Sequence, residues 1–123
     1  MKRAWLSLSI VVGLALMLAT PVLADFQAGL DAYERGDYHT ALKEWRPLAD
    51  QGNAAAQNNL GAMYINGKGV RRNYVRAYMW LSLAAKQGYK RAVSSQGQLE
   101  REMTPGELAE AERFAREWKA KGK

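Results

Sequence analysis

Residues 60–88 read LGAMYINGKGVRRNYVRAYMWLSLAAKQG, and this stretch decides the fold. Its second half places apolar side chains at the i, i+3, i+4, i+7 spacing of one helical face: Ala77, Trp80, Leu81 and Ala84. Asn73 precedes that face as a helix N-cap, and Gly88 follows it as a stop signal. The stretch therefore predicts two helices, residues 54–66 and 74–87, joined by a glycine-containing loop.

The same pattern occurs more than once along the chain. Pairs of small residues recur at an offset of 36 positions: Ala41 and Ala77, Ala49 and Ala85, Gly52 and Gly88, Ala56 and Ala92. A period of this length is typical of a helical solenoid, in which each unit buries its apolar face against its neighbours. We therefore expect a first unit at residues 25–53, a second at 54–91 and a closing pair of helices at 92–119.

The composition beyond residue 24 favours an all-α fold. Only six of these residues are β-branched, whereas 16 are alanine, the strongest helix former. The whole chain has no cysteine and a single histidine, His39, which excludes disulfides, cysteine-based metal sites and cysteine nucleophiles. Most acidic residues fall on helix faces that also carry Lys and Arg, as solvated faces do. We therefore expect no enzyme, no cofactor and no metal site.

The first 24 residues have the pattern of a signal peptide. Lys2 and Arg3 form a basic start, an uncharged stretch follows, and Val22 and Ala24 are small residues at −3 and −1 before Asp25. The apolar centre of about 13 residues is shorter than the ~20 residues that span a bilayer. We expect cleavage near Ala24 and a periplasmic or secreted chain, with an uncleaved membrane anchor as the alternative.

The second unit resembles a Sel-one-like repeat, a relative of the tetratricopeptide repeat, through Leu60-Gly61-x-x-Tyr64-x-x-Gly67-x-Gly69-Val70-x-x-Asn73 and then Ala77-x-x-Trp80-x-x-x-Ala84-Ala85-x-x-Gly88. The first unit resembles a plain tetratricopeptide unit through Gly36-Asp37-Tyr38-x-x-Ala41-Leu42. The ending is similar to the closing helix of small exported bacterial members. The resemblance implies a short right-handed α-solenoid of antiparallel helix pairs with a C-terminal capping helical hairpin.

The repeat pattern also assigns residues to the scaffold. Gly29 and Gly61 fall where one helix of a unit approaches its partner closely, which small residues allow. Gly67 and Gly69 permit a tight loop between the two helices of the second unit. Three large side chains are expected to fill the space between helices: Trp45, Tyr64 and Trp80.

The resemblance also implies a function, because most such solenoids bind proteins or peptides on the concave face formed by the first helix of each unit. Six residues are expected on that face: Phe26, Leu30, Tyr33, Asn58, Ala62 and Ile65. Tyr33 offers rigid area with a hydroxyl, and Asn58 offers a donor and an acceptor to a peptide backbone. We expect an exported, non-enzymatic scaffold for an unidentified protein or peptide, with self-association as a further expectation. Packing between units is the alternative role of the apolar members.

A basic cluster is the alternative site. It consists of four residues in and after the long loop: Lys68, Arg71, Arg72 and Arg76. Such a cluster attracts an anionic lipid or glycan, which gives an envelope-surface binder as the alternative function and a solvated face as the simpler interpretation. The net charge is +6 for the whole chain, and residues beyond 24 carry 16 Lys and Arg against 12 Asp and Glu. With that modest charge and no recognised motif, we expect no nucleic-acid partner.

Overall fold

Six α-helices make up the part of the chain that the computed structural model describes, residues 24–121. They are α1 (Phe26–Glu34), α2 (Tyr38–Asp50), α3 (Ala54–Asn66), α4 (Tyr74–Lys86), α5 (Lys90–Glu100) and α6 (Pro105–Glu117). No strand occurs among the described residues, so the all-α prediction is confirmed. The predicted signal peptide lies outside these residues, apart from Ala24. Within them no helix has the length and hydropathy needed to cross a bilayer.

Polar side chains begin the helices where the sequence places caps. Oδ1 of Asn73 accepts a hydrogen bond from the backbone N of Arg76 at 3.0 Å. At α6 the backbone N of Glu107 donates to Oγ1 of Thr104 at 3.1 Å, and the backbone N of Thr104 donates to Oε1 of Glu107 at 3.0 Å. Each bond gives a partner to an N–H group at the helix start, and the cap predicted at Asn73 is confirmed.

The helices stack as a short solenoid. Each of α1 to α4 packs against the next helix along the chain, and the connections 35–37 and 51–53 are short enough to make neighbours antiparallel. Helix α6 then packs against α4, which therefore contacts α3, α5 and α6. Eight of the 13 residues of α4 are buried, as expected of a helix that is covered on several sides.

Two glycines let paired helices approach closely. A Cβ atom on Gly29 would fall within the indole ring of Trp45, and a Cβ atom on Gly61 would lie 2.8 Å from Cδ2 of Leu81. Trp45 and Leu81 are themselves 36 positions apart, so they are equivalent residues of the two units. The predicted close approach at both glycines is confirmed, with a large indole in the first unit and a leucine in the second.

The loop between α3 and α4 is shaped by its glycines. Gly67 and Gly69 have φ angles of +65° and +73°, in the left-handed region that glycine favours. A Cβ atom on Gly69 would lie 2.9 Å from the carbonyl oxygen of Tyr38 at the start of α2. The predicted tight loop is confirmed, and it rests against the first unit.

Two glutamine amides, one of them buried, join the two units. Gln57 of α3 has no exposed surface, and its Nε2 donates to the carbonyl oxygen of Ala49 at 3.1 Å. Nε2 of Gln87, just after α4, donates to Oε1 of Gln57 at 3.0 Å and to the carbonyl oxygen of Gly52 at 2.9 Å. We call Gln57, Gln87 and their two carbonyl partners the amide seam. The sequence analysis assigned no role to these glutamines.

The end of the described chain returns to the first unit. The backbone N of Lys121 donates to the carbonyl oxygen of Asp50 at 2.6 Å. The Trp118 ring packs edge-on against Trp80 of α4, with ring centroids 6.4 Å apart. The segment after α6 therefore contacts both α2 and α4.

A Gly29→Ala variant tests the close approach in the first unit. The added methyl group has to displace the Trp45 indole, so we expect the free energy of unfolding to fall by about 1–3 kcal/mol. Urea unfolding followed by tryptophan fluorescence measures the difference.

Gly97→Ala is the matched control, since Gly97 is also helical and a Cβ atom there meets nothing within 4 Å. We expect this variant to gain up to about 1 kcal/mol from the better helix propensity of alanine. A Gly29→Ala protein as stable as the parent chain would contradict the contact.

Candidate functional site

Four of the six residues predicted on the concave face meet in one groove. The groove has a volume of about 260 Å³. Its lining consists of Leu30 and Tyr33 from α1, Trp45 from α2, Asn58, Asn59 and Ala62 from α3, and Arg91 from α5. Helices α1, α3 and α5 are the first helices of successive units, and we call this surface the concave groove.

The other two predicted residues lie elsewhere. Phe26 is half-buried and packs on Trp45, with ring centroids 5.8 Å apart. Ile65 lines a separate groove of about 230 Å³ beside Tyr74 and Leu99. Neither residue lines the concave groove, so four of the six predicted residues share it.

Tyr33 is held by aromatic neighbours. Its ring centroid is 5.1 Å from that of Tyr38 and 5.7 Å from that of Trp45, both on α2. Its hydroxyl oxygen accepts a hydrogen bond from Nζ of Lys68 at 3.3 Å. Offset aromatic packing of this kind limits the ring to few orientations. Tyr33 therefore presents a rigid wall to the groove.

Asn58 is an enclosed polar group with little to bind. Its side chain is 4% exposed, yet its Nδ2 reaches only Oδ1 of Asn59, at 3.5 Å. That distance is long for a hydrogen bond, and within residues 24–121 the side chain of Asn58 makes no other. Asn58 lines the concave groove, so the hydrogen-bonding capacity that the protein leaves unused there is available to a ligand.

Sequence reasoning missed three of the lining residues. Trp45 was assigned only to the space between helices, and it fills that space with 2% of its surface exposed. Asn59 adjoins Asn58 on α3. Arg91 is the one charged side chain in the lining. Its signal in the sequence is its place in the first turn of α5, the next first helix of the array.

The structure divides the predicted basic cluster. Nζ of Lys68 lies 5.2 Å from the ring centroids of both Tyr33 and Tyr38, and the hydrogen bond to Tyr33, then that to Tyr38, raises the pKa of Lys68 above its ordinary value. The Arg72 guanidinium lies 5.2 Å from the Tyr74 ring. Arg71 and Arg76 are exposed. Lys68 therefore contacts the aromatic rings of the first unit and does not share a surface with the exposed arginines.

Comparison with known proteins identifies the second unit. Residues 54–89, which comprise α3, the glycine loop and α4, match the family model of the Sel1 repeat. The chain carries a Sel1 repeat. Sel1 repeats generally serve as non-enzymatic scaffolds for protein–protein interaction. The predicted resemblance is therefore confirmed for this unit.

A plant protein contains a similar stretch. An F-box protein of Arabidopsis thaliana is 37% identical over 70 residues, which is 57% of this chain and 19% of the relative. The chain thus spans about a fifth of that relative's length. The likeness is one of part of the chain to a small part of a longer protein.

The Sel1 repeat does not form the concave groove alone. It supplies Asn58, Asn59 and Ala62, while the preceding hairpin supplies one wall and α5 supplies Arg91. Within residues 24–121 no cluster of three or more His, Cys, Asp or Glu side chains has the arrangement of a metal site. To a ligand, the concave groove offers apolar surface, the amides of Asn58 and Asn59, and the positive charge of Arg91.

A second groove of about 380 Å³ lies where α5 and α6 meet the Sel1 repeat. Three of its lining residues take part in hydrogen bonds between α4 and α5: the Tyr78 hydroxyl donates to Oε1 of Glu100 at 2.7 Å, and Nε2 of Gln96 donates to Oγ of Ser82 at 3.0 Å. Burial, followed by the bond to Glu100, raises the pKa of Tyr78 to about 12. These bonds hold α5 on α4, which gives the groove a structural role.

The raised pKa of Tyr78 predicts that the free energy of unfolding falls at alkaline pH. The unfolded chain releases the phenol proton near pH 10, whereas the folded chain keeps it to about pH 12, so stability falls as pH rises between these values. Absorbance at 295 nm against pH, compared between the parent chain and Tyr78→Phe, should show one tyrosine titrating near pH 12. We expect Glu100→Gln to lower that midpoint. A Tyr78 midpoint at pH 10 would contradict the buried bond.

Proposed function

We propose that this chain is an exported, non-enzymatic scaffold that binds an extended segment of another protein in the concave groove. The observation that carries the proposal is Asn58, an amide of the groove lining whose one side-chain hydrogen bond within residues 24–121 is a long contact of 3.5 Å with Asn59. A bound peptide backbone supplies both an N–H and a C=O group, which are the two partners an asparagine side chain requires.

The size and chemistry of the groove support a peptide segment over a small molecule. Its volume of about 260 Å³ is below the roughly 300–1,000 Å³ of pockets that enclose small ligands. Leu30, Tyr33 and Ala62 offer apolar contact, and Asn58 and Asn59 offer hydrogen bonds. This combination suits an extended peptide, which presents both backbone hydrogen-bonding groups and apolar side chains. The Sel1 repeat supports a protein partner as well.

Export is the second part of the proposal. It rests on the basic start, the apolar stretch and the small residues before Asp25 in residues 1–24. We place the processed chain in the periplasm or outside the cell. There the concave groove meets exported proteins or their unfolded segments.

Photo-crosslinking in intact cells tests the binding face. The probe amino acid replaces Asn59 or Arg91, which line the concave groove at positions that are half-buried and exposed. Control probes replace Glu110 and Lys119, which are exposed on or after α6. We expect one discrete protein adduct at both groove positions and at neither control.

Other outcomes would overturn the binding face. Equal labelling at all four positions would reject the concave groove. Protein held at the cell envelope and released by salt, with no groove adduct, would favour Arg71, Arg72 and Arg76 as an electrostatic surface, because screening weakens exposed charge contacts.

Variants of the neighbouring residues Gln57 and Asn58 distinguish an effect on partner binding from an effect on folding stability. Gln57 is fully buried and bonded in the amide seam, so Gln57→Met should lower the free energy of unfolding by about 1–3 kcal/mol. Asn58→Leu removes a buried group with one long contact, so we expect stability within about 1 kcal/mol of the parent and loss of the crosslinked adduct. Full adduct yield in Asn58→Leu would reject the role of this amide.

A further inference from the structure

The start of α1 is held by two consecutive residues of α2. The backbone N of Asp25 donates to Oε2 of Glu44 at 2.8 Å. Nε1 of Trp45 donates to the carbonyl oxygen of Phe26 at 3.1 Å. Oδ1 of Asp25 in turn accepts from the backbone N of Gln27 at 2.9 Å, which caps the helix. The first two residues of the fold are therefore fixed in both position and register.

Processing changes the chemistry of one of these atoms. In an uncut chain the nitrogen of Asp25 is an amide with one N–H. Hydrolysis of the Ala24–Asp25 bond by a peptidase consumes one water, leaves a carboxylate on Ala24 and makes the Asp25 nitrogen an amine, which takes up a proton at neutral pH. The same nitrogen then carries a positive charge and three donors.

We propose that Glu44 is the binding group for the α-ammonium of Asp25 that processing creates. The inference rests on the proposed cleavage before Asp25 and goes beyond it, because it assigns a partner within the fold to the new terminus. The hydrogen bond already present at 2.8 Å becomes a charge-assisted one, and such bonds are roughly twice as strong as neutral ones.

The surrounding charges favour this pairing. A positive group at a helix N-terminus is opposed by the helix dipole, so it needs nearby carboxylates, and Asp25 and Glu44 both provide one. Arg46 and Asp50 of α2 lie 3.8 Å from each other as an ion pair. Of the other titratable residues of α2, His39 and Lys43 are exposed, and Tyr38 is half-buried against Tyr33.

The pairing is specific for one cleavage position. Starting the chain at Ala24 moves the ammonium by one residue, about 3.8 Å along the backbone, and leaves only an amide N–H at Asp25. Starting at Phe26 removes the capping carboxylate and the nitrogen together. Glu44 therefore distinguishes a correctly cut terminus from its neighbours.

Mass spectrometry of the protein isolated from exporting cells is the first measurement. A chain beginning at Asp25 is the expected result. Any other first residue overturns both the proposed cleavage position and the inference that depends on it.

Four chains then measure the pairing itself. Chains that start at Asp25 or at Ala24 are each prepared with and without Glu44→Gln, by removing a tag with a protease that leaves the chosen residue. The buried apolar residues of the described chain all lie between Ala32 and Ala115, so both starts retain the core. Urea unfolding midpoints are compared at pH 6.5 in low salt.

We expect a higher midpoint for the Asp25 start than for the Ala24 start, and loss of that difference in Glu44→Gln and in high salt. Glu34→Gln, at an exposed carboxylate near the other end of α1, is the control and should leave the difference unchanged. Equal midpoints for the two starts, or a difference that survives Glu44→Gln, would overturn the inference while leaving the cleavage position intact.

Discussion

The insertion of the Trp45 indole into the space left open by Gly29 is the contact on which the first unit depends. No side chain larger than hydrogen fits at residue 29 without moving the ring. The indole in turn packs on Phe26 and Tyr33, and its N–H fixes the start of α1 through the carbonyl oxygen of Phe26. Removing the space at residue 29 would therefore disturb the aromatic packing, the first helix and one wall of the concave groove together.

The groove shows how a short array can produce a surface that no single unit contains. Its walls come from α1 and α3, Trp45 of α2 contributes to its lining, and its charged residue comes from α5. The glycine loop adds to this arrangement indirectly, because Gly69 rests on the backbone of Tyr38 and the adjacent Lys68 reaches the rings of Tyr33 and Tyr38. Lys68 of the loop and Tyr33 of α1 are distant in the sequence, yet their contact links the loop to one wall of the concave groove.

Local signals in the sequence predicted the helices, their caps and the glycine contacts. Such features depend on residues within a few positions, or on small residues that recur in each unit. The placement of individual side chains was less accessible, because each residue turns a helix by about 100° and a small error in rotation moves a side chain to another face. Phe26 and Ile65 are a different case, because the spacings 26, 30, 33 and 58, 62, 65 each keep to one helical face. They lie at the start of α1 and near the end of α3, where their neighbours are Trp45 and Tyr74.

Residues defined by distant partners were missed for a different reason. Gln57 is polar, so its position in α3 indicates solvent, and only its contacts with Ala49 and Gln87 explain its burial. Arg91 belongs to the concave groove because of how α5 lies on α4. Lys68 belongs with Tyr33 because of the path of the loop. None of these three relations is visible within a window of neighbouring residues.

The amide seam has a consequence for how the molecule comes apart. In longer arrays of helical units, one end can open while the rest stays folded, since each unit contacts only its neighbours. Here opening the first unit would break the hydrogen bonds that Gln57 and Gln87 donate to the carbonyl oxygens of Ala49 and Gly52, and would also release Lys121 from Asp50. The seam therefore opposes partial opening, and we expect the two units to unfold in one transition with a low population of half-open forms.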